Sequence, residues 1–371
     1  MTRRIRVLHI IQNLHYGGME RLLADIIRCT DTERFESHLL ALEFLGRFAD
    51  GLHEHAELHL AQPMSRWSML RPTSFARDIR CIAPDVVHTH GGIWYKATLA
   101  ARLADVPRTI HTEHGRQRPD PWNARLLDGL AARRTDVVVA VSETLARQLA
   151  ATVVGDASRI RVVINGVDTC DYRPRADRGA LRRELGLAPD VPIIGSIGRL
   201  QRIKGYDIMV EAFALLRGGW SSTPAPVLVL CGDGSERAML EQLARERGVA
   251  DAVHFLGWRD DIHELHSAFA LFTMSSRSEG TSVSLLEAMS AGLCPIVTDV
   301  GGNAAVLGDA LRHRLVPAER PEALAAAWSA ALEQPAARCE DALRARARVE
   351  QAFGLEAMVR AYEALYAGGG S

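Results

Sequence analysis

Strand-like apolar runs alternate with helix-like runs along almost the whole chain, and this alternation limits the fold more than any single motif. Strands that alternate with helices build parallel α/β layers. In the first half, strands are expected at residues 6–11, 38–42, 85–90, 108–112, 136–141 and 161–164, and helices at 19–29, 73–82, 96–103, 122–134 and 143–151. Asn165-Gly166-Val167-Asp168 and the following Arg173-Pro174 then break the pattern, because Asn-Gly makes turns and proline ends regular structure. A linker is placed there. A short helix at 178–185 leads into a second series, with strands at 192–198, 226–231, 253–255, 270–274, 294–298 and 314–316. Its helices are expected at 206–216, 235–247, 261–268, 282–291 and 321–332, with one long final run at 338–365.

A chain of 371 residues that is 47% apolar can build two ordinary domains, each with its own core. Two open parallel sheets in tandem are expected to hold ligands in the cleft between them, on loops at the carboxyl ends of the strands. The 44 basic and 45 acidic residues balance, which argues against general nucleic-acid binding. Six scattered cysteines form no CxxC and no His/Cys spacing for zinc, so neither a metal nor a disulfide framework is expected, and a reducing cytoplasm fits. The apolar run at 5–11 is too short for a signal-peptide core with its cleavage site, or to cross a bilayer, and reads as a first buried strand. Residues 368–371 read as a flexible tail.

The loops carry the candidate chemistry. Glu279 and Glu287 stand eight residues apart, separated by a Gly280-Thr281-Ser282 turn and an apolar helix. Eight helical residues advance about 12 Å and turn about 80° beyond two full turns, so both carboxylates can border one ligand of nucleotide-sugar length. The amides that open the helix attract phosphates and polar groups. Equally, Glu279 can be a plain loop residue and Glu287 a solvated one. Gly198-Arg199-Leu200-Gln201-Arg202-Ile203-Lys204-Gly205 offers a guanidinium fork and one of only two lysines to a diphosphate, or else is a solvated basic turn. It is not a P-loop, since Gly-Lys-Ser/Thr is missing. His15-Tyr16-Gly17-Gly18 allows close backbone approach to a phosphate but is not GxGxxG.

His111-Thr112-Glu113-His114 and His88-Thr89-His90 follow strands with the wrong spacing for helical metal ligation. Trp94, Tyr95 and Lys96 suit either a sugar surface or a core. The basic, aromatic-containing stretches Arg66-Trp67 to Arg80 (with Phe75) and Arg116 to Arg134 (with Trp122) can rest on an anionic membrane or form solvated helix faces. Paired carboxylates also occur in glycosidases, but those need no phosphate-binding loops.

Taken in order, Gly17-Gly18, Asn165-Gly166-Val167-Asp168, Gly198-Arg199-Leu200 with Lys204-Gly205, Gly232-Asp233-Gly234, Phe255-Leu256-Gly257 and Glu279-x7-Glu287 resemble the retaining glycosyltransferases of family 4 over nearly the whole chain. The N-terminal half also has a weaker likeness to bacterial exopolysaccharide sugar transferases. The resemblance implies the GT-B architecture: two Rossmann-like, doubly wound parallel-sheet domains facing across a cleft. Residues 1–170 would form the acceptor domain, 171–350 the donor domain, and 351–371 a helix returning to the first domain plus the tail. It implies that Arg199 and Lys204 hold the donor diphosphate, and that Glu279, with the amides of Gly280, Thr281 and Ser282, holds the transferred sugar. Glu287 would hold the ribose, Gly17 and Gly18 would approach the diphosphate, and His114, or His111 in a competing register, would sit beside the sugar.

The implied activity is metal-independent, retaining transfer from a nucleotide-diphosphate sugar, UDP-linked by expectation, to a glycan or lipid-linked acceptor. It needs no cofactor and would take place in the cytoplasm, with peripheral contact at the inner membrane face through the basic N-domain helices. Ser282 stands where many relatives have proline, which leaves that turn less rigid. A UDP-sugar 2-epimerase of the same architecture and a non-catalytic nucleotide-sugar binder are the alternatives.

Overall fold

Parallel strands and their crossover helices form two units in a computed structural model, which describes residues 3–15, 17–63, 71–115, 121–177 and 179–368. Tyr16, Arg66, Trp67, Arg116, the first residue of the helix expected at 178–185, and 369–371 of the expected tail lie outside the described residues. The first unit comprises Met1–Gly166 and Leu355–Ser371, the second Val167–Gly354.

The first unit carries β1 (Ile5–Asn13), β2 (Phe35–Phe44), β3 (Ala56–Leu60), β4 (Val86–His90), β5 (Arg108–Glu113), β6 (Val137–Ala140) and β7 (Ile160–Val162), with helices α1 (Gly18–Cys29), α2 (Thr73–Ile82), α3 (Trp94–Leu103), α4 (Trp122–Ala132) and α5 (Glu143–Leu149). The described strands are all parallel, in the order β3-β2-β1-β4-β5-β6-β7. The order reverses between β1 and β4, which splays the loops after these strands and opens a crevice there. Central strands buried on both faces read as near-continuous apolar runs, and β1, interrupted by Arg6 and His9, has Val7, Leu8, Ile10 and Ile11 sealed from solvent. Edge strand β3 was not expected. Its sequence, Ala-Glu-Leu-His-Leu, alternates over too few residues to be told from a loop, and only Ala56 is buried.

The second unit contains α6 (Ala180–Glu184), β8 (Ile193–Ile197), α7 (Tyr206–Gly219), β9 (Val227–Cys231), α8 (Arg237–Glu246), β10 (Val253–Gly257), α9 (Ile262–Ala268) and β11 (Leu271–Met274). It continues through α10 (Val283–Ser290), β12 (Pro295–Thr298), α11 (Asn303–Leu307), β13 (Leu315–Val316), α12 (Pro321–Glu333) and α13 (Pro335–Ala352). Its sheet runs β10-β9-β8-β11-β12-β13, with the switch between β8 and β11. Trp328 of α12 is sealed in this core, and its Nε1–H donates to Thr273 Oγ1 at 3.0 Å, so the large ring is buried without stranding its donor.

The final run is two helices, not the single one expected. Phe353 and Gly354 leave the helix after α13; Val167 N donates to Phe353 O at 2.9 Å, and Val167 pairs with Gly354 as a parallel bridge. Such pairing uses the backbone groups that a continuous helix would have spent on itself. The chain then re-enters the first unit as α14 (Leu355–Tyr366). There Tyr366 Oη lies 2.9 Å from His88 Nδ1, and Glu363 Oε1 accepts from Asp31 N at 2.8 Å.

Two aromatic side chains weighed for ligand or membrane contact are core. Phe75 is sealed under α2, and Trp94 stacks on His111 with ring centroids 4.0 Å apart while donating to Thr135 Oγ1. Trp122 is the opposite case, 77% exposed on α4.

Candidate functional site

In the second unit, the loops after β8, β11 and β12 are laced together by backbone and side-chain hydrogen bonds. Arg277 N donates to Ile203 O at 2.8 Å, Gly302 N to Gly280 O at 2.9 Å, and Thr298 Oγ1 to Ser276 O at 2.7 Å. Ser275 Oγ donates to Gly205 O at 2.7 Å. Gly205 takes φ +65°, and a Cβ there would stand 2.1 Å from the Ser275 carbonyl oxygen. Only glycine fits both the left-handed backbone and that approach. Arg277 braces the assembly from outside through Asp207 and Glu319, with Nη2 2.7 Å from Asp207 Oδ2. These pairings hold its guanidinium pKa above the usual arginine range against the opposing effect of burial.

Inside this frame Lys204 Nζ lies 2.7 Å from Glu279 Oε1, with the carboxylate side chain only 7% exposed. Ser276 Oγ donates to the same oxygen at 2.5 Å. A carboxylate this buried needs such partners, because its desolvation is otherwise uncompensated. Tyr206 is buried nearby, and burial chiefly, with Glu279 adding to it, pushes its phenol well above the usual range, so it stays a neutral hydroxyl. Gly280, Thr281 and Ser282 are buried and lead directly into α10. Ser282 is the helix cap, its Oγ accepting from Leu285 N at 3.4 Å. Glu287 is buried on the second turn of α10. Arg199 extends into solvent, with no side-chain partner among the described residues.

The structure thus brings Lys204, Glu279, Gly280, Thr281 and Ser282 into one cradle. Arg199 is on the same loop as Lys204, nearer β8.

Gly17, Gly18 and His114 belong to the first unit. Gly17 precedes α1 with φ +141°, and a Cβ would meet Glu20 Oε2 at 2.3 Å. Gly18 begins α1 and is exposed. His114 Nε2 lies 3.4 Å from His90 Nδ1, and His90 Nε2 lies 3.4 Å from His9 Nδ1. His88 packs on His90 with centroids 4.0 Å apart and reaches Thr112 Oγ1 at 2.7 Å. Burial pushes His9 down to about 3 and His114 down to about 4, and holds His88 and His90 well below the ordinary histidine range. All four are therefore neutral at pH 7. His111 points to the opposite side of the sheet, where its Nδ1 lies 2.9 Å from Thr89 Oγ1 and its ring is covered by Trp94.

Sequence reasoning missed the histidine array, because its members come from β1, β4 and the residue after β5 and converge only when parallel strands align. The same is true of a second group: His38, Glu57 and His59 offer ligand-type atoms within 4.8 Å of one another.

Two parallel-sheet units of this kind define the GT-B class. The solved structure of HepE from Anabaena in complex with UDP and glucose matches with a TM-score of 0.85, covering 98% of this chain and 100% of that one at 22% identity. The chain belongs to glycosyltransferase family 4. The model described as Glycosyltransferase Family 4 matches residues 16–170, and that described as Glycosyl transferases group 1 matches residues 177–350.

Among its relatives, a D-inositol 3-phosphate glycosyltransferase of Jonesia denitrificans is 33% identical over 71% of this chain, which spans 66% of that protein, a little under two thirds of its length. An Escherichia coli UDP-Gal:alpha-D-GlcNAc-diphosphoundecaprenol alpha-1,3-galactosyltransferase is 25% identical over 81% of each chain.

Proposed function

We propose that this chain is a retaining, metal-independent glycosyltransferase. It moves a sugar from a nucleotide-diphosphate donor, UDP-linked, to a glycan or lipid-linked acceptor in bacterial polysaccharide or glycoconjugate synthesis. The observation that carries the reading is the Lys204–Glu279 pair at the mouth of the cradle. An ammonium has three donors, so Lys204 can keep Glu279 and still give one to a phosphate oxygen. Glu279 Oε1 is occupied by Lys204 and Ser276, which leaves Oε2 to accept from a sugar hydroxyl. Arg199, with no side-chain partner among the described residues to release, is the second cation for the diphosphate. Glu287 holds the ribose, and the amides of Gly280, Thr281 and Ser282 face the sugar. Gly17 and Gly18 approach the diphosphate through their backbone, and a neutral His114 hydrogen-bonds the transferred sugar.

In this reading the bond from the anomeric carbon to the phosphate oxygen breaks while Arg199 and Lys204 stabilise the charge left on the diphosphate. The acceptor hydroxyl attacks from the same face, and its proton passes to the departing phosphate oxygen. No protein base and no metal are required. The names of the relatives above, which include a UDP-galactose-dependent enzyme with a lipid-linked acceptor and a neighbour solved with UDP, support the choice of donor and acceptor classes.

Contact with the inner membrane face belongs to the same proposal. Trp122 and Leu126 are exposed one turn apart on α4, 77% and 57% respectively, and Arg125 and Arg133 are exposed beside them. An apolar pair flanked by arginines suits an anionic lipid surface. No helix among the described residues is long and apolar enough to cross a membrane.

The test is a panel of UDP-, GDP- and ADP-sugars scored first by thermal shift, then by transfer in the presence of EDTA, with the product anomer read by NMR. Stabilisation of about 2.7 kcal/mol is expected at a hundredfold excess of the true donor over its Kd. An inverted anomer, or activity abolished by EDTA and restored by Mg²⁺, would overturn the reading.

A further inference from the structure

We infer that the His38–His59–Glu57 cluster of the first unit is a site for one divalent transition-metal ion of the zinc type, which staples edge strand β3 to β2. His38 comes from β2 and Glu57 and His59 from β3, and the parallel register sets His38 beside Glu57 and Leu40 beside His59. His38 is the fourth residue of β2, and Glu57 and His59 are the second and fourth of β3, whereas Gly17, Gly18 and His114 follow the carboxyl ends of β1 and β5.

The hydrogen-bonding chemistry leaves a lone pair aimed where a cation can sit. His38 Nε2 lies 3.1 Å from Glu36 Oε1, and a carboxylate can only accept, so that nitrogen carries the proton. In the neutral ring Nδ1 then presents a lone pair. It faces Glu57 Oε2, itself an acceptor, at 3.4 Å, and His59 Nε2 at 3.1 Å. Either the proton of a neutral His59, carried on Nε2, or a metal ion can fill the point where these atoms converge.

The spacing also fits a metal. Tetrahedral zinc with bonds of about 2.0–2.1 Å sets its ligand atoms about 3.3 Å apart, close to both measured separations. Glu36 supplies what metal-ligating histidines usually have, a carboxylate on the remote ring nitrogen. That carboxylate is itself fixed by Arg6, whose Nη2 lies 3.2 Å from Glu36 Oε1. A cavity of about 290 Å³ opens at the cluster, so water can take the fourth position. Glu57 is 68% exposed, which gives the ion an entry path.

The experiment uses the full chain, stripped with EDTA, dialysed, and titrated with Co²⁺ and then Zn²⁺. One equivalent of Co²⁺ should bind with the intense visible absorption of a tetrahedral site, and Zn²⁺ should displace it and raise the thermal midpoint. The His38→Gln/His59→Gln double variant should lose that equivalent. Glu36→Gln, which keeps all three ligands, should bind about 10–100-fold more weakly. Absence of saturable binding by the unaltered chain would show that a proton alone bridges the cluster and would overturn the proposal. So would a full equivalent retained by the double variant. Should that variant fail to fold, the unaltered chain and Glu36→Gln still decide the matter. None of these readouts depends on glycosyl transfer.

Discussion

Lys204 Nζ and Glu279 Oε1 stand 2.7 Å apart although 75 residues separate them, and this one contact ties the loop after β8 to the loop after β11. Replacing Lys204 by Ala removes the point charge proposed to hold the diphosphate and leaves a largely buried carboxylate that keeps Ser276 as its side-chain partner among the described residues. The expected result is a fall in kcat/KM for the donor of about 10²–10³-fold. Stability should drop by about 1–3 kcal/mol in urea titrations, the cost of a stranded buried acceptor. Lys204→Arg should recover the stability more than the rate, because a planar fork cannot reproduce a compact ammonium. Donor kinetics unchanged in Lys204→Ala would remove Lys204 from the site.

Gly205 is a sharper test of the loop itself. A Cβ would meet the Ser275 carbonyl oxygen at 2.1 Å, and the φ of +65° disfavours any other residue. Gly205→Ala must therefore displace either the segment carrying Lys204 or the segment leading to Glu279. A loss of about 2–3 kcal/mol is expected from strain of this kind, with donor affinity falling alongside it. A variant as stable as the parent would mean that the two loops do not approach as described.

Much of this arrangement was legible in the sequence for local reasons. Strands such as β9 are continuous apolar runs, and helices such as α2 have well-marked ends. Lys204 stood out because the chain has only two lysines. The pairing of Lys204 with Glu279 was not legible, since nothing local records which loops meet. The split between α13 and α14 was hidden because Phe353-Gly354 leaves the helical pattern only to bond with Val167, far back in the chain. The histidine clusters escaped for the same reason: each member is an ordinary polar residue in its own strand, and only strand register gathers them. β3 was too short and too polar for its period to show.

Ser282 caps α10. Its Oγ accepts from Leu285 N at a rather long 3.4 Å, so Ser282→Ala should cost only about 0.5–1 kcal/mol, the low end for a lost cap. Ser282→Pro is compatible with the native φ of −72° and should recover stability by restricting the unfolded chain. Urea midpoints of the two variants check the order. Should Ser282→Pro be the less stable of the two, the backbone amide of Ser282 does more than the cap geometry indicates.

The buried histidines set the acid sensitivity of the first unit. His9, with its pKa at about 3, and His114, at about 4, are depressed by burial from an ordinary value of 6.5, and His88 and His90 are also well below it. Between those values and 6.5 the unfolded chain binds more protons than the folded one, so stability rises with pH. The contribution is fully present above pH 6.5 and is lost as the pH falls towards 4 and then 3. Each histidine adds up to about 1.4 kcal/mol per pH unit within that window. Hydrogen exchange followed at pH 7.5, 6 and 5 should therefore show protection in β4 and α14 falling with acidification, after correction for the intrinsic rate. His9→Asn should flatten that slope, because one group that must charge on unfolding is gone. Protection in these elements that does not change between pH 7.5 and 5 would mean that the histidines already carry protons in the folded chain, and a neutral His114 beside the sugar would then be untenable.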